Sequence, residues 1–218
     1  MSKLSNKKIL LTTGPTREPI DPVRFISNYS SGKMGFALAE EAVQRGAEVL
    51  MVKGPTYAPF KDATVKVIEI QTAAEMYDAV NANMEGYDII IYAAAVADYT
   101  PKHIAENKIK KNDNEFSLEL VKTKDIAYEM GKKKSATQFS VGFALETDNE
   151  EAHALSKLNK KNLDMIVLNS LRDVGAGFQV DTNKITILDK KGNVVKFDMK
   201  SKAETAKDIL DYVEQMLN

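Results

Sequence analysis

The sequence predicts an α/β fold: a Rossmann-like, doubly wound, mainly parallel sheet with a C-terminal antiparallel hairpin. Three observations carry this expectation. Short runs rich in Ile, Leu and Val recur along the chain with the length of strands. Helical patterns with explicit start signals separate them up to about residue 170, the alternation of a parallel sheet covered on both faces. Beyond that point KITILDKKGNVVKFD reads as two strands around a polar turn containing Gly192.

The strands fall near 8–13, 47–53, 64–70, 87–93, 115–121, 138–143, 164–168, 184–189 and 193–198. The first, with Ile9, Leu10 and Leu11, runs into a long polar loop, TTGPTREPIDPVRFISNYSSGKMG, from Thr12 to Gly35. An amphipathic helix carrying Met34, Ala37, Leu38 and Ala42 follows. A strand, a loop and a helix start in succession present backbone N–H groups and a helix dipole to a phosphate. Ser30 and Ser31 are the expected N-caps, and Gly32 and Gly35 let a ligand and the first strand approach the helix closely. The loop is not a Walker A. Ser27 stands at its first glycine, and Met34 follows Gly32-Lys33 where Ser or Thr should hold the metal. Nor is it G-x-G-x-x-G, so it predicts a phosphate or nucleotide site of a less common kind.

Further along, Thr72-x-x-Glu75, Thr147-x-x-Glu150 and Ser201-x-x-Glu204 fit the capping box and mark three helix starts. The last helix sets Ala206, Ile209, Leu210, Val213 and Leu217 on one face, so it should dock on a core. Residues 99–114 are polar, Lys-rich and without periodicity, and read as a mobile loop. No repeat or low-complexity linker divides the chain. Residues 1–218 are therefore expected to form one nucleotide-binding α/β domain, with that loop and a hairpin near 184–198.

Composition narrows the function classes. The chain has 218 residues, 44% hydrophobic and 28% charged, with a net charge of −1, which argues against a general nucleic-acid binder held by counterion release. No apolar run is long enough to span a bilayer, and the apolar stretch after the basic start is too short for a signal peptide. The absence of cysteine excludes disulfides, thiolate zinc sites and a Cys nucleophile, and suits the reducing cytoplasm, where the protein is expected. His103 and His153 are the only histidines, too few for a multi-histidine metal site or a His-centred triad, and neither receives a role.

The candidate site residues come from four places. The strand YDIIIYAAAVAD ends in small residues, Ala93, Ala94, Ala95 and Ala97, leaving room at its carboxyl end where ligands of open α/β sheets bind. Asp98 at that tip could hold Mg²⁺ carrying a triphosphate, or could simply form a turn. Lys108-Ile-Lys-Lys111 could close over a polyphosphate, or be a solvated surface. Lys157 and Lys161 project from one helix face, where like charges cost about 0.2–0.5 kcal/mol unless an anion sits between them. A solvated face balanced by Glu150 and Glu151 is the other reading. Phe143 at a strand end can stack a base or fill core. In the first loop, the Asn28 amide suits a carbonyl and the Arg24 fork suits a phosphate, unless both are merely solvated.

Together these residues describe a site for a triphosphate and a second anionic ligand, with no evident nucleophile on the protein. That fits an activating ligase, in which the substrate's own carboxylate attacks an α-phosphate. Two other classes remain open. An NADP-dependent short-chain reductase would use Tyr128-x-x-x-Lys132, with Lys53 on a 2′-phosphate. The chain lacks the dinucleotide fingerprint, however, and has Glu115 where the reductase serine belongs. A non-catalytic nucleotide-binding module would have lost the lysine loop, which is intact here.

GPTREPIDPVRFISNYSSGKMG, AAAVADY, KIKK, VGFALET and KNLDMIVLN, in that order from about residue 7 to the end, closely resemble bacterial phosphopantothenoylcysteine synthetase of coenzyme A biosynthesis. The resemblance implies amide formation between 4′-phosphopantothenate and L-cysteine through an acyl-cytidylate made from CTP, with release of pyrophosphate and CMP. By the same resemblance, Asn28 binds the intermediate and Lys108 is needed to form it. Tyr92, Ala93, Ala94, Asp98, Lys124, Asp125, Ile126, Ala127, Phe143, Lys157 and Lys161 fall where the family contacts CTP. Arg24, Asn28, Gly32 and Gly35 are the expected substrate-binding residues, and Asp98 the Mg²⁺ ligand. The resemblance further implies a homodimer, a separate decarboxylase acting next in the pathway, and no flavin, as in the stand-alone synthetase. Lys124 replaces a proline of the family's Lys-x-Pro-Asp-Ile, which should alter the loop there, and Leu145 replaces a common alanine.

Overall fold

The computed structural model describes residues 2–110, 116–146, 148–170 and 180–217. In chain order the strands are β1 (Lys8–Thr13), β2 (Arg17–Pro19), β3 (Phe25–Ser27), β4 (Glu48–Lys53), β5 (Lys66–Glu69), β6 (Ile89–Tyr92) and β7 (Tyr99–Pro101). They continue as β8 (Leu120–Lys122), β9 (Phe139–Glu146), β10 (Met165–Ser170), β11 (Thr182–Asn183), β12 (Ile185–Asp189), β13 (Val194–Lys196) and β14 (Lys200–Ser201). The helices are α1 (Lys33–Gln44), α2 (Ala73–Asn83), α3 (Ile126–Lys133), α4 (Glu150–Lys160) and α5 (Lys202–Met216).

Eight strands form one sheet in the order β13-β12-β10-β9-β6-β1-β4-β5. Every pair from β5 to β10 is parallel, whereas β10–β12 and β12–β13 are antiparallel. The doubly wound sheet with a C-terminal hairpin is therefore present. Successive residues of a strand face opposite sides, and the core divides accordingly. Ile9, Leu11, Val49, Met51, Ile89 and Ile91 pack with Phe36, Leu38 and Ala42 of α1 and Ile209, Leu210 and Val213 of α5. Leu10, Leu50, Val52 and Ile90 pack on the other face with Met76 and Val80 of α2 and Ile126 and Met130 of α3. Ala144, Ile166, Leu168 and Leu188 continue that side under Ala154 and Leu158 of α4.

Several sequence expectations need correcting. The described part of the stretch 115–121, residues 116–121, does not join the sheet: within it only Leu120 and Val121 are strand, and β8 pairs antiparallel with β7 in a separate ladder. The segment 99–114, read as a mobile loop, therefore begins as a strand, and its residues 111–114 lie outside the described residues. The long polar loop after β1 contains its own antiparallel hairpin, β2–β3, with Arg17 opposite Ser27 and Pro19 opposite Phe25. Neither Ser30 nor Ser31 caps α1. Gly32 does, at φ 77 in the left-handed region, while Ser30 Oγ accepts from the Gly32 N–H at 3.3 Å. The boxes at Thr72–Glu75 and Ser201–Glu204 are both formed. The third is not. Asn149 is the N-cap of α4, so Glu150 is the first helical residue, and Thr147 lies outside the described residues.

Candidate active site

The strand order fixes where a ligand can enter. From β1 the chain steps outward through β4 to β5, then returns to the opposite side of β1 for β6, β9 and β10. The switch point lies between β1 and β6, and open α/β sheets bind ligands beyond the carboxyl ends of the strands at that crevice. Two adjoining clefts occupy it, and both are lined by Ala94, Val96, Asp98 and Phe143.

The segment leaving β6 is strapped on both sides. The Ala95 N–H donates to Gly14 O (2.9 Å), Ala97 N–H to Thr16 Oγ1 (3.0 Å), and Thr123 N–H to Asp98 O (3.0 Å). On the other wall a Cβ at Gly35 would stand 2.1 Å from Thr13 Oγ1, so only glycine lets α1 start against β1. Thr13 Oγ1 itself donates to Gly32 O at 3.0 Å.

The smaller cleft, about 180 Å³, gathers Tyr92, Ala94, Asp98, Lys124, Asp125, Ile126, Ala127, Phe143, Lys157 and Lys161, all expected at the nucleotide. Its cations are already paired. Lys157 Nζ stands 2.6 Å from Glu146 Oε1, and Lys161 Nζ 3.0 Å from Asp125 Oδ2. Separate carboxylates relieve the like-charge repulsion between the two lysines. Glu150 and Glu151, expected to balance them, are turned elsewhere, toward Ser170 and Lys196. Asp125 has a second task, accepting from the Tyr128 N–H (3.1 Å) as N-cap of α3. Lys124, in the proline position, lays its ammonium 4.2 Å from the centre of the Tyr77 ring. Burial pushes the Tyr92 phenol well above the usual tyrosine range, so it stays neutral and can donate.

The larger cleft, about 340 Å³, holds Asn28, Gly32, Gly35 and Ala93. Ala93 thus faces this cleft and not the one expected for the nucleotide. Sequence reasoning missed four further lining residues, Lys33, Asn169, Asn183 and Lys202. Asn169 closes the KNLDMIVLN motif and Lys33 sits inside SSGKMG, so both were in view without a role. Burial holds the Lys202 ammonium below the ordinary lysine range.

Two expected residues line neither cleft. Lys108 is exposed on the segment after β7. Arg24 donates to Asp21 and, from Nη2, to Ile109 O at 2.9 Å, so its fork is committed to the protein and not presented to a phosphate in either cleft. Lys111 lies outside the described residues. The Tyr128/Lys132 pair of the reductase reading also lies outside both clefts, and Lys132 Nζ is 2.8 Å from Glu129.

Among the described residues no group of three or more His, Cys, Asp or Glu could hold a metal ion. A resident metal centre does not fit these residues. A Mg²⁺ ion that arrives on a triphosphate does, because it needs one carboxylate beside phosphate oxygens and water, and Asp98 stands where the clefts meet. No helix among the described residues is long and apolar enough to cross a membrane.

The chain is similar to several known proteins. The family model described as DNA/pantothenate metabolism flavoprotein C-terminal domain matches residues 4–217. A cysteine/cysteine sulfinic acid decarboxylase from an unknown prokaryotic organism is 53% identical over 207 residues, covering 95% of this chain and 58% of that protein. The coenzyme A biosynthesis bifunctional protein CoaBC of Bacillus subtilis (strain 168) is 46% identical over 210 residues, 96% of this chain and 52% of its own length. The chain spans about half the length of these curated relatives. Among solved structures, the C-terminal domain of a coenzyme A biosynthesis bifunctional protein CoaBC superposes with a TM-score of 0.83 at 42% identity, covering 98% of both chains.

Proposed function

The chain belongs to the DNA/pantothenate metabolism flavoprotein C-terminal domain family, and from that premise we propose that it is a phosphopantothenate–cysteine ligase acting in coenzyme A biosynthesis. One observation carries the reading most: two clefts share a wall at the switch point, one lined by three lysines and the other larger and lined by Asn28. Such a pair suits a nucleoside triphosphate and an acid that must meet. The family supplies the chemistry that would use it, and residues 1–218 are taken to act as one domain.

In the reaction, a carboxylate oxygen of 4′-phosphopantothenate attacks the α-phosphorus of CTP. The bond to the bridging oxygen breaks and pyrophosphate leaves, which gives an acyl-cytidylate. The amine of L-cysteine then adds to the acyl carbon, the C–O bond to CMP breaks, and the ammonium proton is released to solvent. Lys157 and Lys161 balance the triphosphate, Phe143 stacks the base, and Asp98 takes the Mg²⁺ that comes with it. Lys108, which lines neither cleft in the free protein, reaches in once the substrates are bound and neutralises charge on the α-phosphate as it becomes five-coordinate, a contribution on the order of several kcal/mol. Asn28 holds the acyl group in the larger cleft. No carbon changes oxidation state in this sequence, so the proposal needs no flavin.

We also propose that the molecule is a homodimer. Val23 in the hairpin turn and Phe25, Tyr99, Leu120 and Val121 on the neighbouring β2–β3 and β7–β8 ladders are exposed, and exposed apolar side chains on adjoining elements suit an association surface. A separate decarboxylase would take the product onward.

Purified protein incubated with phosphopantothenate, Mg²⁺ and each of the four nucleoside triphosphates, with and without cysteine, tests the proposal by following pyrophosphate. Release is expected with CTP and only when the acid is present. Equal turnover with ATP would overturn the base assignment alone, and silence with all four would overturn the ligase.

A further inference from the structure

The side chain of Asp21 is fully buried at the tip of the β2–β3 hairpin. An ionised carboxylate in that position must be closely partnered, and five N–H groups meet it. Val23 and Arg24 donate their backbone N–H groups to Oδ1 at 2.9 and 2.8 Å. Arg24 donates Nε (3.0 Å) and Nη2 to Oδ2, which also accepts the backbone N–H of Ile109 at 3.1 Å. Arg24 Nη2 then donates to the carbonyl of the same Ile109 at 2.9 Å. Both backbone groups of one residue are thus gripped, and this fixes the orientation of the peptide as well as its position. A further bond, Ala105 N–H to Ile20 O at 3.0 Å, ties the start of the same segment to the hairpin. The Arg24 guanidinium holds the Asp21 carboxyl well below the usual carboxylate range, so the clamp persists at any physiological pH.

Ile109 lies between Lys108 and Lys110, which are both exposed, while Ile109 is half-buried. The base of the same hairpin leads into Asn28, whose Nδ2 donates to Ala95 O (3.0 Å) and Val96 O (3.1 Å) at the cleft wall. Arg24 and Asn28 lie four residue steps apart along mostly extended chain, about 13 Å. One hairpin therefore carries Asn28 at its foot and holds the lysine segment at its tip.

We propose that Asp21 is the positioning residue of the lysine arm: it fixes Ile109 to the hairpin and so sets where Lys108 stands during acyl-nucleotide formation. The role rests on the ligase reading. Asparagine at this position would offer one acceptor oxygen in place of two and turn an NH₂ toward the donors, so Asp21→Asn opens the clamp at nearly constant volume. Ile109→Pro opens it from the other side by removing the clamped N–H, and leaves the hairpin untouched.

The experiment uses the whole chain in four forms, wild type, Asp21→Asn, Lys108→Gln and the double variant, with Ile109→Pro as the alternative should Asp21→Asn fail to fold. Pyrophosphate release is measured with Mg²⁺, CTP, phosphopantothenate and cysteine, and CTP affinity separately. Asp21→Asn should keep CTP affinity within about twofold while kcat falls at least about tenfold, the pattern of a transition-state charge displaced. Added to Lys108→Gln it should lower kcat by less than about twofold, because both changes remove one effect. Losses that multiply in the double variant would overturn the proposal, as would an unchanged kcat. Hydrogen exchange at the Ile109 amide needs no turnover. It should quicken in Asp21→Asn, and an unchanged rate overturns the clamp even if wild type itself releases no pyrophosphate, the result that defeats the ligase reading separately.

Discussion

Asn28 commits both amide protons to the chain itself. Its Nδ2 bonds two carbonyls, Ala95 O and Val96 O, so the group left for a ligand is the oxygen, an acceptor. The sequence suggested the reverse, an amide donating to a substrate carbonyl, since composition cannot say which end of an amide its own backbone will occupy. Asn28→Asp would set a carboxylate oxygen against those two carbonyls and an anion beside an anionic intermediate. Two lost hydrogen bonds of about 1 kcal/mol each predict a lower melting temperature, and cysteine-dependent turnover should fall at least tenfold or so. Mass spectra of the reaction should then contain accumulated acyl-nucleotide; unchanged kinetics would remove Asn28 from the site. In the smaller cleft Asp98, Lys157 and Lys161 were legible because AAAVAD and the lysine spacing are local patterns that ride on one strand end and one helix, whereas Tyr92, Lys124, Asp125, Ile126 and Ala127 came only from the family resemblance. Arg24 was not. Its partner Ile109 is 85 residues away in sequence, and nothing local announces the clamp.

At the scale of elements, what could be read depended on length and on closed local chemistry. The boxes at Thr72 and Ser201 are complete within four residues and are present as expected. The β2–β3 hairpin was missed because its strands are only three residues long, with Pro19 ending the first and Pro22 in the turn, which in sequence look like loop. The stretch 115–121 has strand composition but finds only β7 as a partner. Helix α3 carries the most useful test, since Asp125 both caps it and neutralises Lys161. Asparagine caps as well as aspartate, so Asp125→Asn should leave the melting temperature nearly unchanged. It also removes a negative charge from the triphosphate cleft, and CTP should bind roughly two- to fivefold tighter in low salt, with the gain fading as salt is added. Weaker binding by titration calorimetry would mean that the pair holds Lys161 in place and does not mask it.

For the whole molecule, alternation of strands and helices gave the fold class, but strand order came only from the structure, and strand order decides where the clefts lie. Among the apolar side chains left outside, Phe25, Tyr99, Leu120 and Val121 belong to the two small ladders, while Val67, Val194 and Val195 lie on the edge strands of the main sheet. Sedimentation equilibrium should give twice the chain mass for wild type. Phe25→Glu, which puts a charge among these exposed apolar groups, should weaken association at least about tenfold. A monomer at all concentrations would count against the homodimer.

The central claim is that two substrates in adjoining clefts react with each other and not with the protein. Phosphopantothenate labelled with ¹⁸O in its carboxylate tests this most directly, in a complete reaction with CTP, Mg²⁺ and cysteine. The account predicts one ¹⁸O in the phosphate of the CMP released and one in the new amide carbonyl. CMP without label would mean that the carboxylate never attacked the α-phosphorus, and would contradict it.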